Sequence, residues 1–174
     1  MLDKLRGGDR RSIGRSNEVV TEVLAAPDLF AEVFDGLLSV DPILRMRCAD
    51  VLEKVSSQRP ALVQPFKARL LDEVAAVPQQ EVQWHVAQMC GYLELDATEK
   101  TRVVGIMESY LATSSSAIVR VMALQTLADL ALSDRTFAPR AVALLHQHIA
   151  RGGPAVVSRG KKLLRSLEGS GMRP

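Results

Sequence analysis

Apolar residues recur along this chain with the spacing of an amphipathic α-helix, in blocks that repeat about every 37 residues. Four blocks align on an apolar anchor, and successive anchors are 38, 37 and 37 residues apart: Leu44, Val82, Val119 and Val156. The first, fifth, eighth, ninth and twelfth positions of each block share one face of a helix. The ninth and twelfth positions are apolar or small in every block. The pattern therefore predicts four amphipathic helices: LRMRCADVLEKV, VQWHVAQMCGYL, VRVMALQTLADL and VVSRGKKLLRSL.

A second apolar segment precedes each of these helices, and a proline marks its start in three of the four cases. Counting 17 residues back from each anchor reaches Pro27, Pro65, Arg102 and Pro139. Proline at a helix start loses no hydrogen bond, because the first N–H groups of a helix have no acceptor within it. Asp41 and Pro42 are predicted as an N-cap and the first helical residue, and Asp96 with Glu99 as a capping box. The repeating unit is therefore a helical hairpin, with a first helix A and a second helix B.

Each hairpin has two apolar faces, which it can bury only by stacking on its neighbours, so the sequence predicts an all-α solenoid. The predicted repeats cover about residues 27–58, 59–95, 96–132 and 133–168. With a capping helix over residues 16–26, they make a single domain from residue 16 to residue 168. Residues 1–15 and 169–174 contain few apolar side chains. They are predicted to form a flexible basic N-terminal arm and a flexible C-terminus.

The B segments resemble the second helix of HEAT repeats, whose pattern is roughly DPxxxVRxxAAxALGxL. DPILRMRCADVLEKV matches this pattern at Asp41, Pro42, Arg45, Cys48, Ala49 and Leu52. VRVMALQTLADL matches it at Val119, Arg120 and Ala123. The block from Val82 keeps Gly91 but has Gln83 in place of the arginine, and the block from Val156 has Val157 there. The resemblance implies a right-handed solenoid of the armadillo and HEAT kind that holds another macromolecule, and it names no partner.

Composition agrees with a helical core and indicates a reducing compartment. Apolar residues make up 47% of the chain but aromatic residues only 4%, so the core is built mainly from Leu, Val, Ala and Met. Cys48 and Cys90 lie among apolar residues in predicted helices, where buried free thiols are the ordinary interpretation. No segment has the length of a membrane span or the character of a leader, so we expect a cytoplasmic protein without membrane contact.

The net charge of +2 conceals basic ends on an acidic body. Residues 1–16 carry five Lys or Arg against two Asp or Glu, and residues 151–174 carry six against one. Residues 17–150 carry eleven against seventeen. The basic ends could contact nucleic acid or acidic proteins, or they could serve only to keep the chain in solution.

The sequence contains no enzyme signature, and we expect no catalytic residue, cofactor or metal. His146 and His148 are two residues apart, which points them to opposite sides of a helix, and His85 and Cys90 also lie on different faces. Arg45 and Arg120 occupy the second position of the HEAT pattern. We predict that they form bonds within the stack, because a charged group beside a core needs a partner.

The third, fourth and seventh positions of the B helices point away from the predicted core. In solenoids of this type the B helices line the concave surface, which is the usual contact surface. The candidate partner surface consists of an apolar column with a polar rim: Met46, Arg47, Trp84, His85, Gln88, Val121, Met122, Gln125, Arg159 and Lys162. An exposed Trp and Met patch with such a rim is typical of protein-binding surfaces. Alternatively, Trp84 fills a crevice between adjacent B helices, or the N-terminal arm folds over it.

The first functional hypothesis is a non-enzymatic scaffold that binds a protein or peptide on this face. The second is a nucleic-acid-binding protein, for which HEAT-like alkylpurine DNA glycosylases are a precedent. This chain departs from that family because it has one Trp, carries Asp50 and Asp129 on the face, and concentrates cations only in its last helix. The third hypothesis is that the same face pairs two copies of the chain.

Overall fold

The computed structural model describes residues 1–9 and 11–171, and this part of the chain is helical with no strand. Nine α-helices follow one another within it: α1 Ser16–Ala25, α2 Leu29–Asp35, α3 Pro42–Gln58, α4 Lys67–Asp72, α5 Gln80–Cys90, α6 Ala97–Thr113, α7 Ala117–Ser133, α8 Ala138–Arg151 and α9 Pro154–Gly169. Short 3₁₀ turns lie at Leu2–Leu5, Gly36–Leu38, Pro60–Leu62, Gln64–Phe66, Val74–Ala76 and Arg135–Phe137. The all-α prediction is confirmed, and the predicted B segments begin on α3, α5, α7 and α9, although α5 ends at Cys90, three residues before the end of its segment.

The chain forms two compact units, Met1–Glu94 and Leu95–Pro174. In the first unit α1 and α2 both pack on α3, and α3 packs on α5. In the second unit α6 packs on α7, while α7 packs on both α8 and α9. Within each unit one B helix therefore contacts the next. The division between the units lies within one residue of the predicted boundary between the second and third repeats.

The A helices differ in length, and the recurring proline accounts for much of the difference. Pro27 lies two residues before α2, and Pro65 lies in the 3₁₀ turn before α4. The third repeat has Arg102 where the others have proline, and its helix α6 extends back to Ala97. There Glu99 N donates to Asp96 Oδ1 at 2.8 Å and Asp96 N donates to Glu99 Oε2 at 2.9 Å, which confirms the capping box.

The core side of α3 is aliphatic and packs closely on α2. Leu44, Cys48, Leu52 and Val55 are completely buried. A Cβ atom at Gly36 would lie 2.4 Å from Cys48 Sγ, so only glycine fits where α2 ends against α3. α3 and the end of α2 are therefore closely packed, and the side chains that α3 contributes to this contact are aliphatic residues and Cys48.

The N-terminal residues differ from the expected flexible arm, because they pack on the first unit. Leu5 is completely buried, and Lys4 donates to the carboxylates of Glu18 and Glu22 on α1. Sequence patterning missed this packing because two leucines, Leu2 and Leu5, an ion-paired lysine and several backbone carbonyls make the contacts, rather than a long apolar stripe.

At the other end, α9 continues to Gly169, within the segment expected to be a flexible C-terminus. The last part of that segment, residues 172–174, lies outside the described residues. Among the described helices, none has both the length and the apolar character required to cross a membrane.

Candidate functional site

A cleft of about 280 Å³ opens in the first unit between the N-terminal arm, α3 and α5. Its lining comes from Arg11, Ser12 and Ile13 of the arm, Met46, Arg47 and Asp50 of α3, and Glu81, Trp84 and His85 of α5. Four residues of the candidate partner surface, Met46, Arg47, Trp84 and His85, therefore meet at one place.

Helical spacing explains why these side chains share the cleft. Positions 46, 47 and 50 fall within one helical turn of α3, and positions 81, 84 and 85 do the same on α5. Residues three and four apart lie on one face of a helix, so each helix presents one edge of its polar side to the cleft.

Arg45 links the start of α3 to the start of α5 by hydrogen bonds. Its Nε donates to Gln79 Oε1 at 2.7 Å, and its Nη1 donates to the Ser39 carbonyl at 2.7 Å. Gln79 Nε2 in turn donates to the Pro42 carbonyl at 2.9 Å. The prediction that Arg45 bonds within the fold is confirmed.

Trp84 contributes an aromatic surface to the cleft. Its side chain is half-buried, and its ring lies 5.5 Å from the His85 ring at an interplanar angle of 58°. Met46 lies beside it with 9% of its surface exposed, while Ile13 of the arm is 43% exposed. The cleft therefore has an apolar lining that remains partly open to solvent.

His85 is a buried neutral imidazole at the base of this lining. Burial is the main cause that lowers its pKa to about 4, and the charge of Lys54 acts in the same direction against that of Asp50. Its Nδ1 is buried and has no hydrogen-bond partner among the described residues. At neutral pH the ring adds no positive charge to the cleft.

Arg47 lies beneath the arm, in contrast to the expected place at an exposed rim. It is only 3% exposed, and its guanidinium donates to five backbone carbonyls, those of Leu5, Arg6, Gly7, Asp9 and Ser12. The arm covers it and all three of its nitrogens bond to arm carbonyls, so Arg47 is a component of the fold at this position.

The other charged residues of the cleft are separated by sign, with the positive charge on the arm and the negative charges on the helices. Arg11 lies on the arm side, whereas Asp50 and Glu81 lie on the two helices. Asp50 accepts from Lys54 Nζ at 2.8 Å. Gln88, another candidate residue, lies outside this cleft, and its Nε2 donates to Glu53 Oε1 at 3.4 Å.

The other candidate residues belong to the second unit. Val121, Met122 and Gln125 are half-buried on α7, and Gln125 Nε2 donates to Asp129 Oδ1 at 2.7 Å. Two further candidates on α9, Arg159 and Lys162, are exposed.

Arg120 and the histidines of α8 also have defined places in the second unit. Nη2 of Arg120 lies 3.1 Å from His148 Nδ1, which confirms the prediction that Arg120 bonds within the fold. His148 is buried and His146 is exposed, as their two-residue spacing predicts. In the described residues no group of three or more His, Cys, Asp or Glu side chains is placed to hold a metal ion.

Folding of the N-terminal arm over Trp84 is one alternative that the sequence predicts, but the sequence does not identify which residues of the arm line the cleft. Arg11, Ser12 and Ile13 lie in a stretch with one apolar side chain among charges and glycines. The available signals were the glycines at positions 7, 8 and 14, which all have positive φ and shape a compact loop.

Comparison with other proteins adds no identification: no family model, curated protein or solved structure matches the chain.

Proposed function

We propose that this protein is a non-enzymatic scaffold that binds a protein or peptide segment, with the cleft around Trp84 as its main contact site. The observation that carries this proposal is the chain's single tryptophan, half-buried in a cleft that also contains Met46 and the exposed Ile13. Aromatic residues at the centre of a concave apolar patch supply much of the affinity at protein interfaces.

The proposal includes a right-handed, HEAT-like solenoid as the architecture of the scaffold. The contacts between α3 and α5 and between α7 and α9, together with hairpins such as α6 with α7, support this arrangement. Such stacked hairpins present rows of B-helix side chains that commonly serve as contact surfaces.

The size and charge of the cleft define the segment that would fit. At about 280 Å³ it lies at the lower end of ligand pockets, so it takes one large apolar side chain with its neighbours. Asp50 is already paired with Lys54, but Glu81 forms no ion pair among the described residues and favours a cationic residue next to that anchor. An extended segment or a short amphipathic helix can present both groups.

The test is selection of peptides from a random display library on the wild-type protein, followed by measurement of their dissociation constants by fluorescence anisotropy. Trp84→Ala is expected to weaken binding by at least about 2 kcal/mol, or roughly thirtyfold, without loss of helicity. Gln83→Ala is the matched control, because Gln83 lies on the same helix, outside the cleft and outside the candidate partner surface.

Two outcomes would contradict the proposal. If Trp84→Ala loses its helical circular dichroism signal, the side chain is part of the core rather than a contact. If no peptide is selected and the wild type forms a dimer that Trp84→Ala abolishes in sedimentation equilibrium, the cleft pairs two copies of the chain instead.

A second candidate function, nucleic-acid binding, is supported by the outer face of α9. Arg159, Lys161, Lys162 and Arg165 are exposed there. None of them forms an ion pair with a carboxylate within the described residues. Lys161 and Arg165 are one turn apart, and unpaired like charges at this spacing destabilise a helix unless an anion binds.

Salt dependence separates this function from peptide binding. If α9 binds duplex DNA, the logarithm of the association constant should fall with that of the salt concentration, with a slope of about −0.9 per phosphate contact. Lys161→Gln, Lys162→Gln and Arg165→Gln together should abolish binding. The charge-matched control replaces Arg15, Arg69 and Arg140, which are already paired with carboxylates. If both triple variants lose the same amount of DNA affinity, the binding depends on net charge and not on the α9 cluster.

A further inference from the structure

We infer that the N-terminal arm is a fixed wall of the Trp84 cleft, and that Arg47 is the positioning residue that holds it there. The inference concerns how the proposed binding site is built, and only its affinity readout rests on the proposed function. It gives a role to the buried Arg47 and to residues 1–15, which the sequence predicts to be flexible.

The hydrogen bonds of Arg47 show that the arm is held through its backbone. Nη1 donates to the carbonyls of Leu5 at 3.1 Å, Arg6 at 3.3 Å and Gly7 at 2.7 Å. Nη2 donates to the carbonyl of Asp9 at 3.3 Å, and Nε to that of Ser12 at 3.2 Å. All three guanidinium nitrogens are thus used by one loop.

Arg47 has no carboxylate partner among the described residues, so these carbonyls provide the main compensation for its buried charge. Hydrogen bonds to a charged donor are stronger than bonds between neutral groups. Removal of the arm would leave the guanidinium without these acceptors, and removal of the guanidinium would leave the buried Leu5 carbonyl unpaired and the other four carbonyls without this donor. Each therefore stabilises the other.

Glycines allow the arm to close around the guanidinium. Gly7 and Gly8 have φ of +68° and +79°, which turn the chain so that successive carbonyls converge. Gly14 has φ of +57°, and a Cβ there would lie 2.8 Å from Arg47 Cζ. The contact at Gly14 leaves no space for a side chain, so this glycine packs against the face of the guanidinium.

The same loop supplies one side of the cleft. Ser12, whose carbonyl is bound by Arg47, lines the cavity together with its neighbours Arg11 and Ile13. Without them, Met46 and Trp84 would lie on an open surface between two helices. A wall that excludes water around an aromatic anchor increases the energy available from that anchor.

The test compares two glycine variants that share the same backbone strain. Gly14→Ala introduces a methyl group against Arg47, whereas Gly171→Ala, at a glycine outside the arm with φ of +78°, meets only Arg135 Nη2 at 3.9 Å. Because Trp84 is the only tryptophan, its quenching by acrylamide reports access to the cleft directly. Hydrogen exchange at the amides of Arg6 and Ser12, which bond to Asp3 and Asp9 carbonyls, reports the order of the arm. Circular dichroism checks that the helices are retained.

We expect Gly14→Ala to raise the acrylamide quenching constant of Trp84 and to accelerate exchange in the arm, while Gly171→Ala remains close to wild type. Arg47→Lys should act like Gly14→Ala, because an ammonium group has three donors and cannot reach five carbonyls. With a display-selected peptide, Gly14→Ala should weaken binding by about tenfold, which corresponds to ~1.4 kcal/mol.

Unchanged quenching and exchange in both Gly14→Ala and Arg47→Lys, with intact helices, would overturn the inference, since the arm would then not shield Trp84. Tighter peptide binding after Gly14→Ala would also overturn it, because the arm would be an obstruction rather than a wall. If no peptide is selected, the proposed function fails, while quenching and exchange still decide whether the arm is the wall.

Discussion

At the scale of single residues, the buried His85 gives the stability of the first unit a specific dependence on pH. Its pKa is lowered from 6.5 to about 4, mainly by burial, so the folded ring resists protonation. In the unfolded chain the ring takes up a proton near pH 6.5. Between pH 6.5 and pH 4 the unfolded state therefore binds more protons than the folded state. The free energy of unfolding should fall through this window by roughly 3 kcal/mol, and below it this residue adds no further loss.

Urea denaturation at pH 7 and at pH 4.5 measures this effect. His85→Gln should lose less stability between the two pH values than wild type, whatever its absolute stability. His146→Gln is the control, because His146 is an exposed histidine. His148 also has a pKa lowered mainly by burial, and its contribution is common to wild type and His85→Gln. If His85→Gln and wild type lose equal stability, another group carries the pH dependence.

At the scale of elements, the helices follow from the spacing of apolar residues, whereas their lengths depend on local chemistry. The four B helices could be predicted because their apolar anchors recur about every 37 residues, although in α7 the apolar side chains are not confined to one face. The longer α6 follows from the absence of proline at Arg102 and the presence of a capping box at Asp96. The end of α2 could not be predicted, because it depends on Gly36 lying against Cys48 across the core.

At the scale of the whole chain, the candidate site shows the limit of sequence patterning. Trp84 could be identified because its position on α5 follows from the repeat. The arm over Trp84 was only one of the alternatives, because its attachment depends on backbone carbonyls that every residue possesses and on one arginine, Arg47, that the pattern assigns to the rim. The period of apolar residues predicts which face of a helix is buried. It does not predict where a loop folds so that its backbone carbonyls surround a charged side chain.

The two cysteines offer a measure of how the first unit opens as a whole. Cys48 on α3 is completely buried and Cys90 on α5 is 3% exposed, and burial raises the pKa of both thiols to about 12. A thiol reacts as the thiolate, so the folded protein should be nearly inert to a disulfide reagent at pH 8. Relative to the denatured chain, labelling should be at least about a thousandfold slower, because only the small unfolded fraction reacts.

Ser57→Cys provides the control, since this residue is exposed on the same helix as Cys48 and its thiol should react without denaturant. As urea is added, both native thiols should become reactive with the same dependence on its concentration, because α3 packs on α5 and exposing either thiol disrupts their shared core. Rapid labelling of one native thiol in the absence of urea would show that its helix opens locally. The first unit would then not unfold as one cooperative body.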